Sequence, residues 1–65
     1  MKNIMLVNDE KHLKAMFAIS EIAQEYQKNG ETKLRAVAAS VDKARSIDPS
    51  ITLADIIWTV KSTYG

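Results

Sequence analysis

The residues best suited to chemistry lie near the start of the chain, in "NDEKH" at positions 8 to 12, where Asp9 and Glu10 precede the sole histidine, His12. On a helix, Asp9 and His12 at i, i+3 would face one another, as an acid-base pair or two ligands of one metal would. The first turn of a helix, however, favours carboxylates for its dipole alone, and the sequence has no second histidine and no cysteine to complete a metal site. Ser20, Ser40, Ser46, Ser50 and Ser62 stand in no nucleophile context. Gly30 and Gly65 are the only glycines, so no Gly-rich loop is available to cradle phosphate. The expectation is a protein that is not an enzyme, with no catalytic, cofactor-binding or metal-binding residues and no cofactor.

Two other residue types remain as handles on function. Trp58 is the only tryptophan, and Arg45 borders an apolar stripe; both types are enriched where proteins grip one another. Nine Lys and Arg stand against eight Asp and Glu, a net charge of +1 spread along the chain. That is not the basic footprint of a typical nucleic-acid binder. The longest N-terminal apolar run, Ile4 to Val7, is far shorter than a signal or membrane-spanning segment, so a cytoplasmic protein with no membrane partner is expected.

The elements that must position these residues follow from three breaks, at Asn8-Asp9, Asn29-Gly30 and Asp48-Pro49-Ser50. Between them the chain is rich in Ala, Glu, Lys, Leu and Gln, which form helices readily. The expected fold is all-α. It is a small three-helix bundle in one domain, 1 to 65, with helices at about 9–29, 32–47 and 52–64 and a short apolar N-terminal arm. At 65 residues and without disulfides, such a chain is near the size at which a core alone suffices, so a homodimer or a complex is expected.

At about 100° per residue, Leu13, Met16, Phe17, Ile19, Ile22, Ala23 and Tyr26 of the first helix, with Ala15 and Ala18, cover more than half its circumference. Such a helix needs neighbours on two sides. The second helix places Leu34, Val37, Ala38, Val41 and Ala44 on one stripe, with Ala36 and Ala39 off it. The third has the clearest start: Thr52 as N-cap, Asp55 at N3 in the manner of a capping box, and Ile51 with Ile56 as a hydrophobic staple. Its expected core face is Leu53, Ile56, Ile57, Val60 and Tyr64, with Trp58 about 120° away.

The function expected from this pattern is non-enzymatic protein binding: a small accessory or inhibitory regulator that docks on a larger protein and modulates it. Proteins of this size and class are common among phage and mobile-element accessory factors. The expected partner or dimer interface is Ile4, Leu6, Met16, Ile19, Ile22, Tyr26, Arg45 and Trp58. The alternative is a helix-turn-helix-like DNA-binding regulator, in which the third helix enters the major groove with Asp55, Trp58, Thr59, Lys61, Ser62 and Thr63 exposed. It is the weaker expectation, because that helix carries one cation while Lys33, Arg35, Lys43 and Arg45 lie on the preceding one, and phosphate neutralisation dominates affinity.

Overall fold

A computed structural model describes the backbone of residues 2–65 and the side chains from Glu10 onward. The fold is an all-α bundle of three helices, α1 (Lys2–Lys28), α2 (Lys33–Ile47) and α3 (Leu53–Thr63). The bounds of α1 begin at Lys2 and take in Asn8 and Asp9. Residues 2 to 28 contain no glycine or proline to stop the helix, and an interior Asn or Asp costs only about 0.7 kcal/mol or less. The expected packing of an apolar arm at residues 1 to 7, with Ile4 and Leu6, lies outside the described side chains.

The helix ends follow local chemistry. Gly30 takes φ +80°, which suits a residue without Cβ. It closes α1 in a Schellman arrangement: its N–H donates to the Gln27 carbonyl at 3.0 Å, and that of Glu31 donates to Tyr26 at 2.8 Å. Thr32 and Thr52 cap α2 and α3, each hydroxyl accepting from the backbone N–H three residues on, Arg35 at 3.2 Å and Asp55 at 3.1 Å. Ile51 and Ile56, the expected staple, are both buried in the core.

The core is centred on a seam of mostly small side chains around Ile19. Ala15, Ile19 and Ala23 of α1 and Ala36, Ser40 and Ala44 of α2 are all fully buried. Each set is an i, i+4, i+8 row, and two such rows can interdigitate at short axial distance when the side chains are small. Ser40 enters this apolar seam because its hydroxyl donates to the Ala36 carbonyl, at 2.6 Å, and so leaves no orphaned polar group. From α3, Ile56 and Val60 fill the third side, with Ile51 from the connector.

This core differs from the hydrophobic stripes of the sequence. On α2, Leu34 is 78% exposed and Ala38 is exposed, whereas Ala36, read as off the stripe, is at the centre. On α3, Leu53 and Ile57 are displaced from the core while Thr59 is buried. Both helices are turned, by roughly 60–100°, away from their most apolar arcs. The reason is steric, since the closest helix pair selects for small residues, and Leu34 cannot occupy the place of Ala36 without forcing the axes apart.

α3 is held by polar contacts at its end. The Tyr64 hydroxyl donates to the Glu31 carbonyl at 2.9 Å, with that of Thr32 at 3.3 Å, which brings the end of α3 beside the start of α2. The two helices are therefore antiparallel neighbours. Burial, then the Glu31 carboxylate and Tyr26, push the Tyr64 phenol above its usual value, keeping it the neutral donor this contact requires. Along the α1–α3 boundary, Ser20 Oγ and Thr63 Oγ1 lie 3.2 Å apart. Thr63 and Thr59 each donate to the carbonyl four residues earlier, at 2.9 and 2.8 Å.

Ile56→Ala, which empties a fully buried site in a small core, should lower the unfolding free energy by about 2–5 kcal/mol. Leu53→Ala, at a half-exposed site three residues away, should cost clearly less. Urea titration of the two variants followed by circular dichroism checks the order.

Candidate functional site

Two places in the fold gather side chains that could act: the surroundings of His12, and the exposed apolar residues. The first begins with Asp48, which ends α2 as its C-cap, its N–H donating to the Ala44 carbonyl at 2.8 Å. Its carboxylate Oδ1 accepts from the Ser50 hydroxyl at 2.7 Å and the Ser50 N–H at 3.2 Å, the local turn that Asp commonly forms ahead of a new helix. Its Oδ2 lies 3.4 Å from His12 Nδ1, which ties α1 to the α2–α3 connector. The Asp9–His12 juxtaposition weighed from the sequence lies outside the described side chains; the described contact of His12 is across the fold, with Asp48. The pairing depends on helix packing, so no spacing in the sequence announces it.

Ser50, Asp48 and His12 are the residue types of a nucleophilic triad, but their order of contact is wrong for one. The serine hydroxyl donates to the carboxylate, whereas activation needs an imidazole as its acceptor. Asp48 is 93% buried, a position suited to clamping a connector. Its carboxyl is held below the usual value, chiefly by the Ser50 hydroxyl, with the Ser50 N–H and His12 adding to this and burial opposing it. Among the described residues, no three His, Cys, Asp or Glu side chains converge as metal ligands would. No helix is long and apolar enough to cross a membrane among them.

The second place is the outer surface. Leu13, Phe17, Leu34, Leu53, Ile57 and Trp58 are all exposed, Phe17 at 68% and Trp58 at 61%. Helical pitch sorts them into two groups. Leu13 and Phe17, one turn apart on α1, lie beyond Ser20, and Ser20 faces α3. Leu34 of α2 and Leu53 and Ile57 of α3 belong to the outer side of the α2–α3 pair, while Trp58 is about 100° further round α3 from Ile57, turned away from α2. Tyr26, Arg35, Ala38 and Ala39 line a shallow open depression, which puts the Arg35–Ala39 edge of α2 beside α1. The opposite edge, with Val37, Val41 and Leu34, is accordingly the one next to α3.

The residues expected at an interface are distributed differently. Ile19 is fully buried within the chain's own core, and Met16, Ile22 and Tyr26 are half-buried, Tyr26 packing against that core. The expectation that this side of α1 awaits a second chain is corrected for Ile19: α2 and α3 already cover it. Arg45 and Trp58 are exposed as surface residues, while the side chains of Ile4 and Leu6 are not described. The exposed surface also includes Leu34, Leu53 and Ile57, which the stripes of the sequence assign to intrachain packing, and Leu13 and Phe17 of the broad apolar surface of the first helix. The helix-turn-helix reading needed Thr59 and Thr63 outside, yet Thr59 is 95% buried and Thr63 half-buried.

The depressed carboxyl of Asp48 contributes stability that is present above its unfolded value and lost as pH falls through its lowered folded value. Asp48→Asn should therefore be less stable than the parent at pH 7, and the gap should close as pH drops below about 4. Thermal unfolding of both proteins across a pH series checks this. Compared with known proteins, the chain matches no family model, no curated protein and no solved structure, so its own residues are the ground for assigning a role.

Proposed function

We propose that this chain is a small non-enzymatic binding module that docks on a larger protein through its outer apolar surface and modulates that protein's activity as an accessory or inhibitory factor. The observation that carries this reading is the exposure of six large hydrophobic side chains among the described residues of so small a fold. Single exposed apolar residues are ordinary, but groups of them at helical spacing are characteristic of interaction surfaces. Trp58 is the natural anchor, since its indole offers a large apolar area and one hydrogen-bond donor.

The surface is also compatible with self-association, and a homodimer would compete for the same residues. DNA binding has less support. The outward arc of α3 presents Leu53, Ala54, Ile57 and Trp58 with Lys61 as its one cation, a poor match to a phosphate backbone.

The test is stoichiometric capture of one defined protein by the chain, followed by reconstitution from purified components. Trp58→Ala should weaken that complex about tenfold or more, as expected of an anchor residue worth upward of about 1.4 kcal/mol, while helicity and unfolding temperature stay near those of the parent. An unchanged affinity would remove Trp58 from the surface, and a chain that binds no protein and instead turns over a substrate would refute the reading.

A further inference from the structure

We propose that α1 pairs with α1 of a second copy of the chain, antiparallel and about a two-fold axis near Lys11 and His12, so that the first turns of each α1 cover Leu13 and Phe17 of the other. The pairing goes beyond the protein-binding reading above. Of the six exposed apolar side chains it takes two, and it leaves the rest to a heterologous partner.

The lengths of the helices set up the pairing. α1 has 27 residues, α2 15 and α3 11, about 40, 22 and 16 Å at helical rise. His12 meets Asp48, the residue that ends α2, at 3.4 Å, and Ser20 meets Thr63, the last residue of α3, at 3.2 Å. α3 therefore starts near the level of Glu10, and α1 alone continues past the bundle, over residues 2 to 9 and about 12 Å. The extents of the molecule, 44 by 19 by 16 Å, are those of one long helix with a shorter bundle along part of it. The sequence of the projecting turns has Ile4, Met5, Leu6 and Val7 in succession. A continuous helix cannot fold back to cover its own Leu13 and Phe17, so a cover for either part comes from outside the chain.

A second copy supplies both parts at once. Positions 6, 13 and 17 fall within about 40° of one another at helical pitch, and Leu13 and Phe17, the described members of this row, are exposed by 51 and 68%. Glu10 stands at the edge of the same arc. The row 6, 10, 13, 17 is spaced by four, three and four residues, a pattern that is the same in both directions. An antiparallel partner can thus set position 6 opposite 17 and 10 opposite 13, twice over by the two-fold axis. That register also brings Glu10 beside the partner's Lys14, again twice. Both residues are exposed, and among the described residues neither takes part in an ion pair, although they are four apart on one helix. A parallel pair would instead set Glu10 against Glu10. Paired over residues 2 to 21, the two helices run together for about 30 Å.

The experiment measures the mass of the full chain by sedimentation across a dilution series, where the parent should be a dimer at the concentrated end. Phe17→Glu, with helicity retained by circular dichroism, should raise the dissociation constant about tenfold or more. Glu10→Lys and Lys14→Glu should each raise it about three- to fivefold at low salt, and the double variant should restore it. Because the sequence has no cysteine, a Leu6→Cys chain mixed with a Phe17→Cys chain should be joined by a short bismaleimide, whereas the Leu6→Cys chain alone should link little, its thiols being about 16 Å apart along the pair. A chain that stays monomeric, free or on phosphatidylserine vesicles, a dimer indifferent to Phe17→Glu, or efficient linkage within the Leu6→Cys chain alone would each overturn the pairing. A monomer that captures a larger protein would overturn it and leave the protein-binding reading intact; a dimer with these properties that captures no protein would support the pairing and remove that reading.

Discussion

The constraint on which the rest of the structure depends is the close approach of α1 and α2 along Ala15, Ile19, Ala23 and Ala36, Ser40, Ala44. Small side chains let two backbones pack at short distance, and dispersion is then gathered along the whole contact instead of at a few bulky groups. The buried serine fits the same logic. Its hydroxyl is turned back on the Ala36 carbonyl, so it behaves as one more small residue without a desolvated orphan.

The consequence, among the described residues, is that six large apolar side chains stand outside the core. The seam is filled by Ala15, Ile19, Ala23, Ala36, Ser40 and Ala44 and leaves Leu34 and Phe17 outside, and α3, with only Ile56 and Val60 of its apolar residues fully inserted, shelters few others. The polar α1–α3 boundary of Ser20, Thr59 and Thr63 and the Asp48 clamp add specificity of placement with little apolar volume. Stability and exposure are thus linked, since the packing that allows 65 residues to fold also leaves Leu34, Leu53, Ile57 and Trp58 available outside. The physical basis for a binding role is this displacement of volume.

Much of the architecture was legible in the sequence because it is written in local chemistry. Gly30 as the left-handed end of α1, Thr32 and Thr52 at the starts of α2 and α3, and the Ile51–Ile56 staple are short-range features whose energetics involve few residues. Helical pitch placed Trp58 off the core face of α3, and its exposure is a finding of the structure. What hydropathy did not resolve was which arc of α2 and α3 turns inward. An apolar stripe marks the side with most to gain from burial, but the seam rewards fit, and Ala36 and Thr59 won places that Leu34 and Leu53 seemed to claim. The His12–Asp48 contact joins residues 36 positions apart and appears only when the helices are packed.

The claim that fit rather than hydropathy governs this core is most directly tested by comparing the urea midpoints of Ala36→Leu and Leu34→Ala. Adding an apolar side chain at the seam should destabilise the fold by about 1–3 kcal/mol through overpacking, and deleting one at the 78% exposed position should leave it within about 0.5 kcal/mol of the parent. A stabilising Ala36→Leu together with a strongly destabilising Leu34→Ala would contradict the account, because it would mean that the apolar stripe, and not the row of small residues, faces the core.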